Sequence, residues 1–276
     1  MIVNGFVLTR LAMCGRRERT NQMNHSVNRD ALSSDAPKPL GVWQMLGLHL
    51  LPGALITVFF FLTAPSIIHA GFPPLLSLFL AILLILIPFE LGFLAYHGKR
   101  LNGRHSLEGV VFFRERTPTW QFVSLIAALV VWSGLTFGLL TAVDKFCVQG
   151  MGNWLPSWSW PENLIGDPDQ YSKSAFALTM FLGFLLNGFA GPIVEELYFR
   201  GYLLPRIPSS AQWAPLINVL LFSVYHFFSP WQNVTRIIAF TPFVYVVAWK
   251  RDIHVGMWAH CLINTLGMIQ SLVVLL

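Results

Sequence analysis

Long apolar runs alternate with short polar segments along most of the chain. A helix needs about 20 apolar residues to cross the hydrocarbon core of a membrane, and seven runs reach or approach that length. They cover residues 42–68, 73–96, 120–141, 175–204, 213–228, 234–249 and 255–276. The fifth and sixth are short, and the sixth contains Pro242. The pattern predicts an all-α fold, a polytopic membrane helix bundle of about seven transmembrane helices.

Composition supports a membrane protein. Of the 276 residues, 55% are hydrophobic and 11% are charged, whereas a soluble domain carries about 25% charged residues. The net charge of +5 does not indicate nucleic acid, because the positive residues lie between apolar runs and not on one soluble face. The three cysteines, Cys14, Cys147 and Cys261, have neither disulfide nor metal spacing.

The first 40 residues differ from the rest. Their apolar patches are interrupted by Arg10 and followed by Arg16, Arg17 and Arg19, which is not the order of a signal peptide. We predict a polar, disordered cytoplasmic tail over residues 1–40 and one transmembrane domain over residues 41–276. A start at Met23 is also compatible with the sequence.

Loop charge predicts the orientation. With the tail inside, the predicted external segments carry only three of the 18 Lys and Arg residues, namely Lys145, Lys173 and Arg236. We therefore expect a cytoplasmic N-terminus. The compact chain with few loops favours a bacterial inner membrane.

Ionisable residues inside the predicted spans are candidate functional residues. In the stretch "EELYFR", Glu196 and Arg200 are four positions apart on a helix and are expected to pair. Glu195 points about 100° away and is left free to face a cavity, where burial would suit a general base. A charge cluster at the membrane surface is the alternative. Glu90 belongs to no such group. Lining the mouth of the cavity is one option for it, but we expect it to reach toward the nearby cytoplasmic surface.

Two further motifs carry polar side chains. "FSVYHFF" contains His226, and "HCLIN" places His260 and Asn264 on one helical face. A pair of donors at this spacing suits stabilisation of an oxyanion. Hydrogen bonding between helices is an equally simple explanation for these residues.

The candidate residues are predicted to lie at similar depths in the membrane. At 1.5 Å per residue, Glu195 is expected roughly 13 Å and His226 roughly 18 Å from the cytoplasmic surface. His260 and Asn264 are expected roughly 9 and 15 Å deep. The sequence thus predicts a membrane-embedded polar cavity in the cytoplasmic half of the bundle, open to the cytosol.

The ordered motifs resemble those of a known family. "EELYFR", "FSVYH" and "HCLIN" match EExxxR, FxxxH and HxxxN, and the chain resembles the CPBP family, the CAAX prenyl endopeptidases and bacteriocin-processing enzymes also called the ABI family. The resemblance covers residues 191–265 and extends the expectation of a CPBP-like peptidase domain to residues 41–276.

The resemblance implies an intramembrane glutamic endopeptidase. Glu195 and His226 would activate water, His260 and Asn264 would stabilise the oxyanion, and Glu196 and Arg200 would support the site. The expected partners are a peptide or lipidated-protein substrate and membrane lipid, with no nucleic acid and no cofactor.

Two alternatives remain from the sequence. One is a non-enzymatic membrane protein, such as a bacteriocin-immunity factor or scaffold. The other is a zinc-dependent intramembrane peptidase, since two histidines and a glutamate are a possible zinc ligand set, although the sequence has no HExxH motif.

Overall fold

The structure is a computed structural model that describes residues 37–151 and 154–275. All helices given below belong to one unit, Pro39–Leu276. The tail predicted for residues 1–40 lies outside the described residues except for its last four, so its disorder stays a prediction.

The described residues form nine helices of four residues or more and no β-strand, which confirms the all-α prediction. They are α1 (Val42–His69), α2 (Leu75–Asn102), α3 (Thr119–Leu139), α4 (Thr141–Met151), α5 (Pro161–Ile165), α6 (Lys173–Arg206), α7 (Ala214–Tyr225), α8 (Asn233–Lys250) and α9 (Ile253–Leu275). Short 3₁₀ turns lie at Ser157–Ser159, Pro168–Gln170 and Pro230–Gln232.

Four of the described helices, α1, α2, α3 and α6, are long and apolar enough to cross a membrane. Their outward faces carry large exposed apolar side chains such as Leu62, Val131 and Phe181. Lipid is the environment that suits such surfaces. The chain is therefore a polytopic membrane protein with at least four candidate spans. The remaining three predicted spans correspond to α7, α8 and α9, and the total of seven stays a prediction.

The fifth predicted span is shorter than expected. We predicted residues 213–228, but α7 ends at Tyr225 and His226 follows the last helical residue. The helix ends because the backbone of His226 is not helical, with φ −79° and ψ 56°, and Pro230 prevents a helix from resuming through Ser229. His226 therefore lies in a connection between helices and not on a helical face.

Two of the membrane helices contain wide π-helical turns. In α2 they cover Ile82–Leu91, and in α6 they cover Leu186–Ala190 and Glu196–Leu203. Such turns are often found at functional sites. They change the direction of the following side chains relative to a regular α-helix, which matters because Glu195 and Glu196 lie where one of these segments begins.

The helices pack around α6. The end of α7 packs on α1 and α8, while α9 packs on α3 and on the middle of α6. Gly53 of α1 makes the contact with α7 possible, because an added Cβ would lie 1.8 Å from the backbone oxygen of Tyr225. This packing brings α6, α9 and the residues after α7 to the same place.

The turn between α8 and α9 is fixed by the segment that precedes α3. The backbone N–H of Ile253 donates to the oxygen of Phe113 at 2.8 Å, and that of Glu115 donates to the oxygen of Arg251 at 3.0 Å. The buried carboxylate of Asp252 accepts from the backbone N–H of Thr117 at 2.9 Å and of His254 at 3.0 Å. These contacts set the start of α9.

Candidate active site

Glu196 and Arg200 form a fully buried ion pair. Nη1 of Arg200 lies 3.3 Å from Oε1 of Glu196, and neither side chain has any exposed surface. This confirms the pairing predicted from their spacing. A buried charge is costly unless it is paired, so each residue compensates the other, and the alternative of a solvated surface cluster is wrong.

Aromatic rings surround the guanidinium of Arg200. Its Cζ lies 3.9 Å from the centroid of the Phe222 ring, 5.7 Å from that of Phe243 and 6.0 Å from that of Phe199. The faces of aromatic rings attract cations, and the attraction is stronger where water is excluded. Arg200 is therefore held both by Glu196 and by rings from α6, α7 and α8.

His260 of α9 lies between the two glutamates. Its Nδ1 is 3.1 Å from Oε1 of Glu196 and its Nε2 is 3.9 Å from Oε2 of Glu195. An ionised carboxylate only accepts hydrogen bonds, so Nδ1 carries the proton in the contact with Glu196. The buried pair on α6 therefore fixes the orientation of the imidazole and directs Nε2 toward Glu195.

Glu196 also lies against the backbone of α9. A Cβ added to Gly256 would lie 2.6 Å from Oε2 of Glu196. Only a residue without a side chain permits this approach. Gly256 was not identified from the sequence, because an isolated glycine in an apolar helix carries no signal of its own.

His226 is oriented by the helix that it follows. Its Nδ1 lies 2.8 Å from the oxygen of Phe222, and since a carbonyl only accepts, Nδ1 carries the proton. Nε2 is then the acceptor in the neutral ring. The ring also packs against Tyr225 and Phe228, with centroids 4.7 and 5.4 Å away. This arrangement leaves one basic nitrogen on a fixed, partly buried imidazole.

Asn264 lies one turn after His260 on α9. Its Nδ2 donates to the backbone oxygen of Asn187, in a π-helical segment of α6, at 2.9 Å. An amide nitrogen carries two protons, so one donor remains. The two residues of the expected donor pair therefore have different contacts. His260 lies between two carboxylates, and Asn264 is hydrogen-bonded to α6.

One cavity of about 520 Å³ connects the candidate residues. Its lining includes Glu195, His226, His260 and Asn264. Most of the other lining side chains are apolar, among them Ile56, Leu78, Phe79, Leu86, Val130 and Ile263. The four predicted catalytic side chains therefore face one largely apolar space, as their calculated depths suggested.

Part of the cavity wall comes from a segment that we predicted to be external. The cavity lining includes Leu164 and Ile165, which lie in the segment predicted to be external. This lining does not support an opening to the cytosol, which stays a prediction together with the orientation.

A metal does not fit the described side chains. Within residues 37–151 and 154–275, no group of three or more His, Cys, Asp and Glu side chains is placed to hold a metal ion. A catalytic zinc takes three protein ligands. We therefore derive no chemical step through zinc.

One charged residue lies elsewhere than predicted, and another is more deeply buried than a loop position suggests. Glu90 is fully buried, and neither carboxyl oxygen has a hydrogen-bond partner among the described residues, so the expectation that it reaches the surface is wrong. Tyr225 lies close to both Glu90 and Glu195. Arg236, which we assigned to an external segment, is only 6% exposed and lines the cavity.

The fold and site define a class of protein: a polytopic helical membrane protein with a buried cluster of two glutamates, two histidines and an arginine at an apolar cavity. A family model described as type II CAAX prenyl endopeptidase Rce1-like matches residues 176–266. The matched region contains all three motifs, and the match confirms the family resemblance drawn from them. It indicates a CAAX-protease type of function in a membrane protein.

The matched region covers about a third of the chain. No curated protein and no solved structure matches the sequence. The family match therefore rests on the part of the chain from α6 to α9, which contains all six candidate residues.

Proposed function

We propose that the protein is an intramembrane endopeptidase that hydrolyses peptide bonds with a water molecule activated by Glu195. The observation that carries the proposal is that Glu195, His226, His260 and Asn264 all line one cavity although they come from three separate segments of the chain. The family match to CAAX prenyl endopeptidases over residues 176–266 supports it independently.

Each residue has a role in this mechanism. The carboxylate of Glu195 takes a proton from water, and Nε2 of His226 orients that water as an acceptor. The oxygen attacks the carbonyl carbon of the peptide bond, and the carbonyl oxygen becomes an oxyanion. His260 in its doubly protonated form, with Nδ1–H donating to Glu196 and Nε2–H free to donate, stabilises this charge together with the free amide proton of Asn264. The proton held by Glu195 then passes to the leaving amine, which completes the cleavage.

Glu196 and Arg200 act by holding His260. Their ion pair has no solvent exposure, so its position does not depend on a mobile solvent shell. A fixed imidazole beside Glu195 is the kind of preorganised environment that lowers a reaction barrier, because no reorganisation is needed when charge develops.

The cavity lining favours an apolar substrate. Its volume of about 520 Å³ lies in the ~300–1,000 Å³ range of small-ligand pockets, and its walls are mainly aliphatic and aromatic. A peptide carrying a lipid, or an apolar peptide segment, fits such walls. We propose that the protein is a multi-pass protein of a bacterial inner membrane and that its N-terminus is cytoplasmic.

The test is cleavage of a fluorogenic, lipidated CAAX peptide by protein reconstituted in lipid nanodiscs. We expect Glu195→Gln and His226→Ala to lower kcat by about 10²–10⁴, the usual contribution of general acid–base catalysis. Glu108→Gln is the matched control, because Glu108 is 73% exposed and outside the cavity. Undiminished turnover in Glu195→Gln refutes the role of Glu195, whereas a wild type that cleaves no peptide favours the non-enzymatic alternative.

A further inference from the structure

Arg236 is a buried cation at the cavity wall. It lies in the first turn of α8 and is 6% exposed. It lines the same cavity as Glu195, together with Ser229 and Gln232 from the connection between α7 and α8. Its guanidinium thus lies at the wall that faces the candidate catalytic residues.

Within the part of the chain that the structure describes, all hydrogen-bond partners of Arg236 are neutral. Nη1 donates to the backbone oxygen of Ser223 at 3.3 Å and to Oδ1 of Asn233 at 3.1 Å. Nη2 donates to Oγ of Ser229 at 2.9 Å and to Oε1 of Gln232 at 3.3 Å. These four bonds fix the plane of the guanidinium without neutralising its charge.

No carboxylate of the described residues forms an ion pair with Arg236. The buried ion pairs within 4.0 Å join Arg200 to Glu196 and His260 to the two glutamates. Glu195 and Asp144 attract Arg236 from a longer distance than an ion pair, and Asp144 accepts a hydrogen bond from Thr235. Arg236 therefore differs from Arg200, whose charge is compensated within the protein.

A buried charge that is held in place but not paired favours an anionic ligand. Removing a guanidinium from water is costly unless an opposite charge compensates it. The four bonds above use all four Nη protons, which leaves the Nε proton to donate to a carboxylate oxygen. The side chain is therefore suited to bind a carboxylate that enters the cavity.

We propose that Arg236 binds the free C-terminal carboxylate of the substrate peptide, an inference that rests on the proposed peptidase function. A terminal carboxylate is the one anionic group that every unblocked peptide possesses, and the cavity walls are otherwise mainly apolar. With its terminus at Arg236, the peptide would present to Glu195 a bond only a few residues from its end. Arg236 would thereby select short C-terminal segments over internal peptide bonds.

The test compares two dansyl-labelled peptides of sequence S-farnesyl-Cys-Val-Ile-Ala that differ only in a C-terminal carboxylate or carboxamide. Binding to the full-length protein is measured in phosphatidylcholine nanodiscs. We expect the wild type to bind the acid about 10- to 100-fold more tightly, as for a hydrogen-bonded charged pair. In Arg236→Gln, affinity for the acid should fall to that for the amide, while affinity for the amide stays unchanged.

Two further variants separate binding from folding. Ser229→Ala removes one bond that orients the guanidinium and should reduce the preference for the acid without changing amide binding. Lys145→Gln removes an exposed cation outside the cavity and should leave the preference intact. If Arg236→Gln weakens both peptides equally, the residue is structural and the proposal is overturned.

Failure of this inference is distinguishable from failure of the proposed function. Equal wild-type affinity for acid and amide overturns the role of Arg236, whatever the protein cleaves. A wild type that prefers the acid but cleaves neither peptide supports the carboxylate site and refutes the peptidase proposal.

Discussion

The carboxylate of Glu196 meets the imidazole of His260, 64 positions later in the chain: Oε1 lies 3.1 Å from Nδ1. The same carboxyl oxygen lies 3.3 Å from Arg200. Glu196 is therefore the residue that links the positive charge within α6 to the histidine of α9. Its neighbour Glu195 is left to face the cavity.

Breaking this pair on one side should destabilise the protein. Glu196→Gln leaves the buried guanidinium of Arg200 without a counter-charge, and we expect a loss of about 3–5 kcal/mol in the free energy of unfolding. The double variant Glu196→Gln/Arg200→Met should lose less than Glu196→Gln alone, because no buried charge is left unpaired. Thermal unfolding in detergent measures both. A double variant less stable than Glu196→Gln would contradict the argument.

Gly256→Ala should damage the same site from the other helix. The new methyl group would meet Oε2 of Glu196 at 2.6 Å and the Cγ2 of Val247 at 3.0 Å. Displacing a catalytic geometry by about 1 Å can cost about 10²-fold in rate, so we expect a fall in turnover of at least about tenfold together with reduced stability.

Gly267→Ala is the control for that experiment. It lies on the same helix, and an added Cβ has nothing within 4 Å. Alanine also favours a helix over glycine by about 1 kcal/mol, so this variant should keep or gain stability. Equal behaviour of the two variants would show that the approach of α9 to Glu196 is unimportant.

Gly53→Ala should separate α1 from the end of α7. Its Cβ would lie 1.8 Å from the backbone oxygen of Tyr225 and 2.7 Å from that residue's Cδ2. Overpacking of this kind usually costs about 1–3 kcal/mol. Because His226 follows Tyr225 directly, peptidase turnover should fall as well. Gly47→Ala, also on α1 and with nothing within 4 Å, should keep or raise the melting temperature, since alanine favours a helix, and should leave turnover unchanged.

Asp252 should make stability depend on acid pH. Burial alone would raise the pKa of this carboxyl, but hydrogen bonds from Thr117 and His254 outweigh it and lower the pKa below its usual value. The stabilisation is therefore present above the ordinary aspartate pKa of about 3.9 and is lost as pH falls through the lowered folded-state pKa.

Replacing Asp252 by Asn removes this titration. The melting temperature of the wild type should exceed that of Asp252→Asn by a constant amount between about pH 5 and pH 7, and the difference should shrink below about pH 4. The exposed Asp169→Asn should show no such difference. A gap between wild type and Asp252→Asn that widens toward low pH would have the wrong sign.

Helix positions were largely predictable from the sequence. The first span was predicted at residues 42–68 and found at Val42–His69, and the sixth was predicted at 234–249 and found at Asn233–Lys250. The length of the apolar run determines these helices, and that length can be read directly from the sequence. The π-helical turns were not predictable, because no residue type specifies them.

Contacts within the site were predictable only where spacing encodes them. The Glu196–Arg200 pair follows from a separation of four residues, but the position of His260 between Glu195 and Glu196 depends on how α9 packs on α6. The burial of Arg236 was not predictable, because counting loop charges gives a residue's place along the chain and not its burial. Glu90 was misplaced because its distance from the end of a predicted span does not show which helices pack over it.

Dissolved salt should affect the ion pairs of this protein very differently. The pairs Arg104–Glu108 and Arg251–Glu115 are more than half exposed, and mobile ions screen such charges over about 8 Å at physiological ionic strength and about 3 Å at 1 M. Glu196 and Arg200 have no surface that an ion can reach. High ionic strength should therefore loosen the polar rim of the bundle while the charges that position His260 keep their full attraction.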